Sequence, residues 1–172
     1  MPDPAKMRRM SAPPDVQLEY AFTITLEFGD IETLPDLTRG FARGALYLKG
    51  GEVSGPRLNG RVLGGSGGDW AEFRPDGTVA TDARYMIEAD DGTHILMRNR
   101  GFLWGRTPDV MPRMREWMFG DGPQVDDSEF YLRAAPSFEV GPGPHDWLTR
   151  HVIVGIGSRQ RLGNTFRYHA IL

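Results

Sequence analysis

Asp82, Arg84 and Asn99 are residues of the types that move a proton and hold the charge it leaves behind. A carboxyl group acts as general acid or base once burial tunes its pKa, and an arginine or an amide can hold a carboxylate, phenolate or developing enolate. Spacing brings the three together on one condition. If Asp91-Gly92 centres a two-residue hairpin turn, Asp90 pairs with Thr93, Met86 lies opposite Met97, Arg84 opposite Asn99 and Asp82 opposite Gly101. Side chains alternate faces along a strand, so Asp82, Arg84, Met86, Ile95, Met97 and Asn99 then share one side of the sheet, apolar near the turn and polar farther away. That gradient suits a small-molecule pocket, with Met86 and Met97 in its apolar part. The same residues also read as an Asp82 to Arg84 ion pair on a solvated face, with the Met and Ile side chains covered by a helix or a partner subunit.

Other residues could join such a site. Arg133 shares a strand face with Tyr131 and Glu139, which makes it a second anion-binding candidate or a salt bridge at the rim. Asp69 follows a glycine-rich turn and either reaches the pocket or accepts backbone amides within the turn. Trp70 is a core residue or a platform for a planar substrate, and Arg57 a ligand fork or a surface charge. The four histidines show neither His-x-His nor HExxH spacing, so no metal centre is expected. The chain has no cysteine, and its only lysines are Lys6 and Lys49, which disfavours thiolate and Schiff-base chemistry.

One stretch, GPRLNGRVLGGSGGDW (55–70), carries the glycine spacing of a phosphate loop between Gly55 and Gly60. Arg61-Val62 then stand where that loop needs Lys and a Ser or Thr hydroxyl, and no helix follows. No βαβ unit surrounds Gly65 to Gly68 either, so the dinucleotide fingerprint is missing too. No cofactor is expected, and the glycines read as turns or bulges flanking a short strand, Arg57 to Leu63.

The elements that must position these residues are mostly strands. The 22 Gly and 13 Pro fall between short alternating runs. In the first run Leu18, Tyr20, Phe22, Ile24, Leu26 and Phe28 alternate with polar residues and predict a half-buried strand. Further strands are predicted over 45–53, 57–63, 70–74, 79–89, 94–103, 129–138, 151–156 and 165–171. Asp109 to Phe119 differs: Val110, Met114, Trp117 and Met118 recur at helical spacing, Pro112 sits in the first turn, and Gly120 follows as a stop. A short helical turn is expected at His145 to Thr149. So many strands in 172 residues favour closure into a β-barrel over an open sheet with exposed edges.

Composition narrows the partners. With 20 Lys plus Arg against 23 Asp plus Glu, nothing favours nucleic acid. No run approaches the roughly 20 apolar residues of a membrane span, and the N-terminal segment lacks the apolar core of a signal peptide. The expectation is a cytoplasmic protein with a loose tail at 1–15 and one barrel domain at 16–172.

The ordered set Gly50-Gly51, Gly55-Pro56-Arg57-Leu58, Gly68-Asp69-Trp70, Arg74-Pro75-Asp76-Gly77, Asp82-Ala83-Arg84-Tyr85, Asp91-Gly92, Asn99-Arg100-Gly101, Tyr131-Leu132-Arg133 and Trp147-Leu148 resembles the DUF3237 (UPF0311) family from Leu18 to the C-terminus. The resemblance implies an all-β, closed antiparallel barrel like those of allene oxide cyclase and dirigent proteins, assembled as a homo-oligomer. It also implies similarity to cyclases and related acid-base catalysts that act on small, often aromatic compounds without a cofactor. Phe102 to Phe119, with Trp104 and Trp117, departs from the family pattern and could form a lid. The functional expectation is a cofactor-independent cyclase, isomerase or lyase working on a small, partly aromatic metabolite in the lumen. The alternative is a barrel that binds an apolar or aromatic ligand without transforming it.

Overall fold

A computed structural model describes residues 15–172, so the predicted tail lies outside the described residues except for Asp15. Nine antiparallel strands follow in chain order: β1 (Leu18–Leu34), β2 (Ala42–Ser54), β3 (Gly60–Val62), β4 (Gly68–Phe73), β5 (Val79–Ala89), β6 (His94–Gly105), β7 (Phe130–Glu139), β8 (Ile153–Gln160) and β9 (Gly163–Ile171). Pairing of β1 with both β2 and β9 closes the sheet. β3 and β4 share one position between β2 and β5, so nine strands fill eight places around the barrel. The shortest seam joins β7 to β8, which pair only at Arg133 with Ile156 and Ala134 with Gly155.

Alternation sets the inner wall. Phe22, Ile24, Leu26 and Phe28 of β1 point inward and are at most 5% exposed. The pairing with β9 slips by one residue between Tyr20 and Phe22, and Ala21 and Phe22 are both buried. This bulge corrects the expected run: Leu18 is exposed, and the Tyr20 hydroxyl lies 2.8 Å from Thr23 Oγ1 on the polar side of the strand.

Helix α1 (Val110–Phe119) follows β6 and buries Val110, Met114 and Trp117, the face its spacing predicts. It crosses the end of the barrel at which β8 turns into β9: Arg159 Nε donates to Met118 Sδ at 3.2 Å, and Arg161 donates to the Gly120 carbonyl. The opposite end is closed by a short 3-10 turn, Asp146–Thr149, whose buried Trp147 packs edge-on against Phe22 at 6.4 Å. Among the described residues no helix is long and apolar enough to cross a membrane.

Candidate functional site

The β5–β6 hairpin decides which residues enter the lumen. Ala89 N–H donates to the Thr93 carbonyl at 2.9 Å and Gly92 N–H to the Ala89 carbonyl at 2.8 Å, so the loop is the three residues Asp90-Asp91-Gly92. Gly92 takes φ +82°, the left-handed position that ends such a loop in a bulge. The loop is one residue longer than a two-residue turn, and register shifts accordingly: Tyr85 faces Met97, Ala83 faces Asn99 and Arg84 faces Arg98. A one-residue slip moves a strand's whole side-chain set to the other face. Met97 and Asn99 are therefore in the lumen together with Ala83, Tyr85 and Ile87, whereas Asp82, Arg84 and Met86 are on the outer wall.

The expected convergence of Asp82 and Arg84 with Asn99 is thereby corrected. Asp82 accepts two bonds from Arg98, from Nε at 2.8 Å and Nη2 at 2.7 Å, and this pairing holds its carboxyl below the usual range. Arg84 Nε stands 4.0 Å from the same carboxylate. Exposed or half-exposed pairs of this kind contribute little. Asp82→Asn is accordingly expected to leave turnover unchanged, a result read directly from steady-state kinetics beside the parent chain.

Other candidates also separate. Trp70 is exposed on the outer wall. Tyr131 stacks on Trp104 with ring centroids 5.1 Å apart, and Arg133 lies 5.1 Å over Tyr131 while donating to the Leu132 carbonyl at 2.8 Å. Both alternate with the inward residues Phe130, Leu132 and Ala134, which places them outside. Arg57 stacks 3.7 Å over Trp147 at the end closed by the 3-10 turn and pairs with Glu19 at 3.5 Å.

Asp69 reaches the lumen. The segment Leu63 to Gly67 loops out between β3 and β4, and side chains replace the ladder bonds it leaves open: Met86 N–H donates to Ser66 Oγ at 3.0 Å, and Asp82 N–H to Asp69 Oδ1 at 2.9 Å. Asp69 is 7% exposed. Burial pushes its carboxyl up to about 6, against the pull of the Asp82 amide and the Arg159 charge.

Four residues without a part in the sequence-based site complete the cluster. Arg159 (β8) is 6% exposed, donates through Nη1 to Asn164 Oδ1 at 2.7 Å, and has its guanidinium 5.0 Å from the centre of the Phe28 ring. Burial lowers it to about 10, opposed by the charge of Asp69. Among the described residues Arg159 Nη2 has no hydrogen-bond partner, and no salt bridge joins Arg159 to Asp69. Tyr85 and Tyr168 are fully buried beside Asn99. Period two would have found these positions, since Arg159 shares a face with Ile153, and Asn164 with Phe166 and Tyr168.

Among the described residues the lumen holds one buried carboxyl and one buried guanidinium that make no salt bridge, with neutral polar groups beside them and an apolar floor of Ile87, Ile95 and Met97. Such a pair can exchange a proton with a substrate at one point and hold negative charge at another. A surface depression of about 530 Å³ beside Thr25, Lys49 and Gln160 contains none of these groups. α1 reaches the cluster at Arg159, through Met118. Among the described residues no three His, Cys, Asp or Glu side chains gather as a metal site would require.

The model of the family described as "Protein of unknown function (DUF3237)" matches residues 16–171. A UPF0311 protein of Rhodopseudomonas palustris is 30% identical over 159 residues, covering 92% of this chain and 99% of that protein. The crystal structure of the conserved R. palustris protein RPA1785 superposes with a TM-score of 0.82 at 29% identity, covering 93% of this chain and 99% of that one. The hydroalkoxylation enzyme phnH of Penicillium herquei is 32% identical over 87 residues, 51% of this chain and 56% of that protein.

Proposed function

The chain belongs to the DUF3237 family, and within that family we propose that it is a small-molecule enzyme in which Asp69 transfers a proton inside the barrel lumen. The observation that carries this reading is a carboxyl group, 7% exposed and with a pKa of about 6, held opposite a buried arginine it does not touch. Near neutral pH that carboxyl is mostly ionised, yet it is a far stronger base than an ordinary aspartate. Arg159, with donors free on Nη2, holds the oxygen that becomes negative as the proton leaves.

The name of the Penicillium relative supplies a reaction class that fits these parts. Addition of a hydroxyl across a carbon–carbon double bond breaks an O–H and a C=C π bond and forms a C–O and a C–H bond. Asp69 takes the hydroxyl proton, and the carboxylic acid so formed returns a proton to carbon. The balance requires no cofactor. The aromatic lining, with Phe22, Phe28, Phe138 and Phe166, favours a substrate that is partly aromatic. Entry requires α1 to lift from Arg159, whose Nε it holds through Met118.

The test is ring closure of ortho-alkenyl phenols by the purified chain in D₂O, followed by NMR. A cyclic ether bearing a new C–D bond is the expected product, and closure no faster than in buffer across the series overturns the reading. Arg159→Met provides a second check. Removing the cation removes one of the influences that lower the Asp69 pKa, so the acid limb of the kcat/KM profile is expected to move to higher pH.

A further inference from the structure

Three polar atoms deep in the lumen have no hydrogen-bond partner among the described residues: Tyr85 Oη, Tyr168 Oη and Asn99 Oδ1. Their side chains are 0%, 0% and 4% exposed. Each buried polar group left unpaired costs about 1–3 kcal/mol, so three at one place call for a shared partner. They do lie at one place. Tyr85 faces Met97 and Asn99 faces Ala83, which makes Tyr85 and Asn99 diagonal neighbours on the inner faces of β5 and β6. Tyr168 approaches from β9 across the lumen, near enough to Tyr85 and Asn99 for weak hydrogen bonding to both to bear on its titration, although neither contact reaches normal hydrogen-bond geometry. Its ring is fixed between Phe22, at 5.0 Å, and Phe166, at 5.8 Å between centroids.

We propose that Tyr85, Tyr168 and Asn99 form a binding site for the neutral hydroxyl group of a phenolic or alcoholic ligand. The donor and acceptor inventory selects that group. Each tyrosine hydroxyl can donate one bond, whereas Asn99 Oδ1 can only accept. A ligand hydroxyl satisfies both kinds at once, accepting from a tyrosine and donating to the amide oxygen. A carboxylate or phenolate has no proton to give Asn99 and would stand beside fully buried groups that no cation touches. Burial raises both tyrosines above their ordinary range, and the same surroundings keep a ligand hydroxyl protonated. Anionic groups are left to Arg159, nearer α1. This inference rests on the proposed function only in seating the ligand in the lumen, and it stands whether or not Asp69 transfers a proton.

4-Nitrophenol is the probe, because its phenolate is yellow and its neutral form is not. At a pH equal to the free probe's own pKa, adding the full chain is expected to bleach the yellow band saturably, since the site takes up the neutral form. Tyr168→Phe, which keeps the ring packing, and Asn99→Leu are each expected to weaken binding about tenfold. Growth of the yellow band on binding, as Arg159 alone would produce, overturns the proposal. So does the absence of saturable change with the parent chain, which is the result if one water fills the site, and so does unaltered binding in both variants. Saturable bleaching without any ring closure would remove the proposed reaction and leave this site standing. Ring closure without bleaching would do the reverse.

Discussion

Asp69→Asn is expected to lower turnover by roughly 10²- to 10⁴-fold, the usual contribution of a positioned acid or base. The substitution keeps the shape of the side chain and can still accept from Asp82 N–H, so the barrel remains folded. In the parent chain kcat/KM is expected to rise with pH through about 6, as the carboxyl ionises to its basic form, and that limb disappears in the variant. Stability moves the opposite way. The carboxyl has a pKa of about 6 in the folded chain against 3.8 for an ordinary aspartate. The folded state therefore binds the proton more tightly, and the stability associated with it is fully present below about 3.8 and lost as pH rises through about 6. A shift of this size corresponds to roughly 3 kcal/mol. Urea midpoints of parent and variant at about pH 4 and about pH 7.5 measure it. The expected gain of the variant over the parent at the higher pH, together with its loss of activity, marks a carboxyl kept in place at a cost to folding. A variant that is equally active, or a parent whose excess over the variant is the same at both pH values, would remove Asp69 from the mechanism.

The strands are legible in the sequence because each carries its own period. β5 spans the predicted Val79 to Ala89, and Val110, Met114 and Trp117 of α1 bury the stripe that their spacing describes. The site is harder to read, for two physical reasons. A hairpin loop one residue longer than expected moves every side chain of β5 to the other face relative to β6, so Asp82 and Arg84 leave the lumen while Asn99 stays in it. In β8 the inward positions between Ile153 and Arg159 are Gly155 and Gly157, which carry no hydrophobic signal. The predicted strand consequently stops at Ile156, three residues short of the cation that faces Asp69. For Asp69 itself the two sequence-based roles are compatible: its carboxylate accepts a backbone amide and is also buried in the lumen.

Gly67→Ala is expected to destabilise the barrel by roughly 3 kcal/mol or more, the range reached when a buried backbone contact cannot relax. Gly67 ends the loop-out that lets β3 and β4 share one position. A Cβ there would overlap the Arg84 carbonyl oxygen and lie 2.9 Å from the carbonyl carbon and 3.2 Å from Tyr85 Cα. These are backbone atoms of β5, and no rotamer removes them. β4 would have to draw away from β5 where Gly68 pairs with Arg84 and Asp69 with Ala83. The same movement shifts Asp69 relative to Arg159, so activity should fall even at temperatures where the variant remains folded. Gly65→Ala is the matched comparison. Gly65 takes φ +70°, but a methyl group added there would meet no atom within 4 Å, so its cost is the backbone preference alone, about 1 kcal/mol, with activity retained. Denaturation midpoints and turnover of the two variants separate close approach from turn conformation. If Gly67→Ala proved as mild as Gly65→Ala, the tight seam between β4 and β5 would not be what holds Asp69 in the lumen.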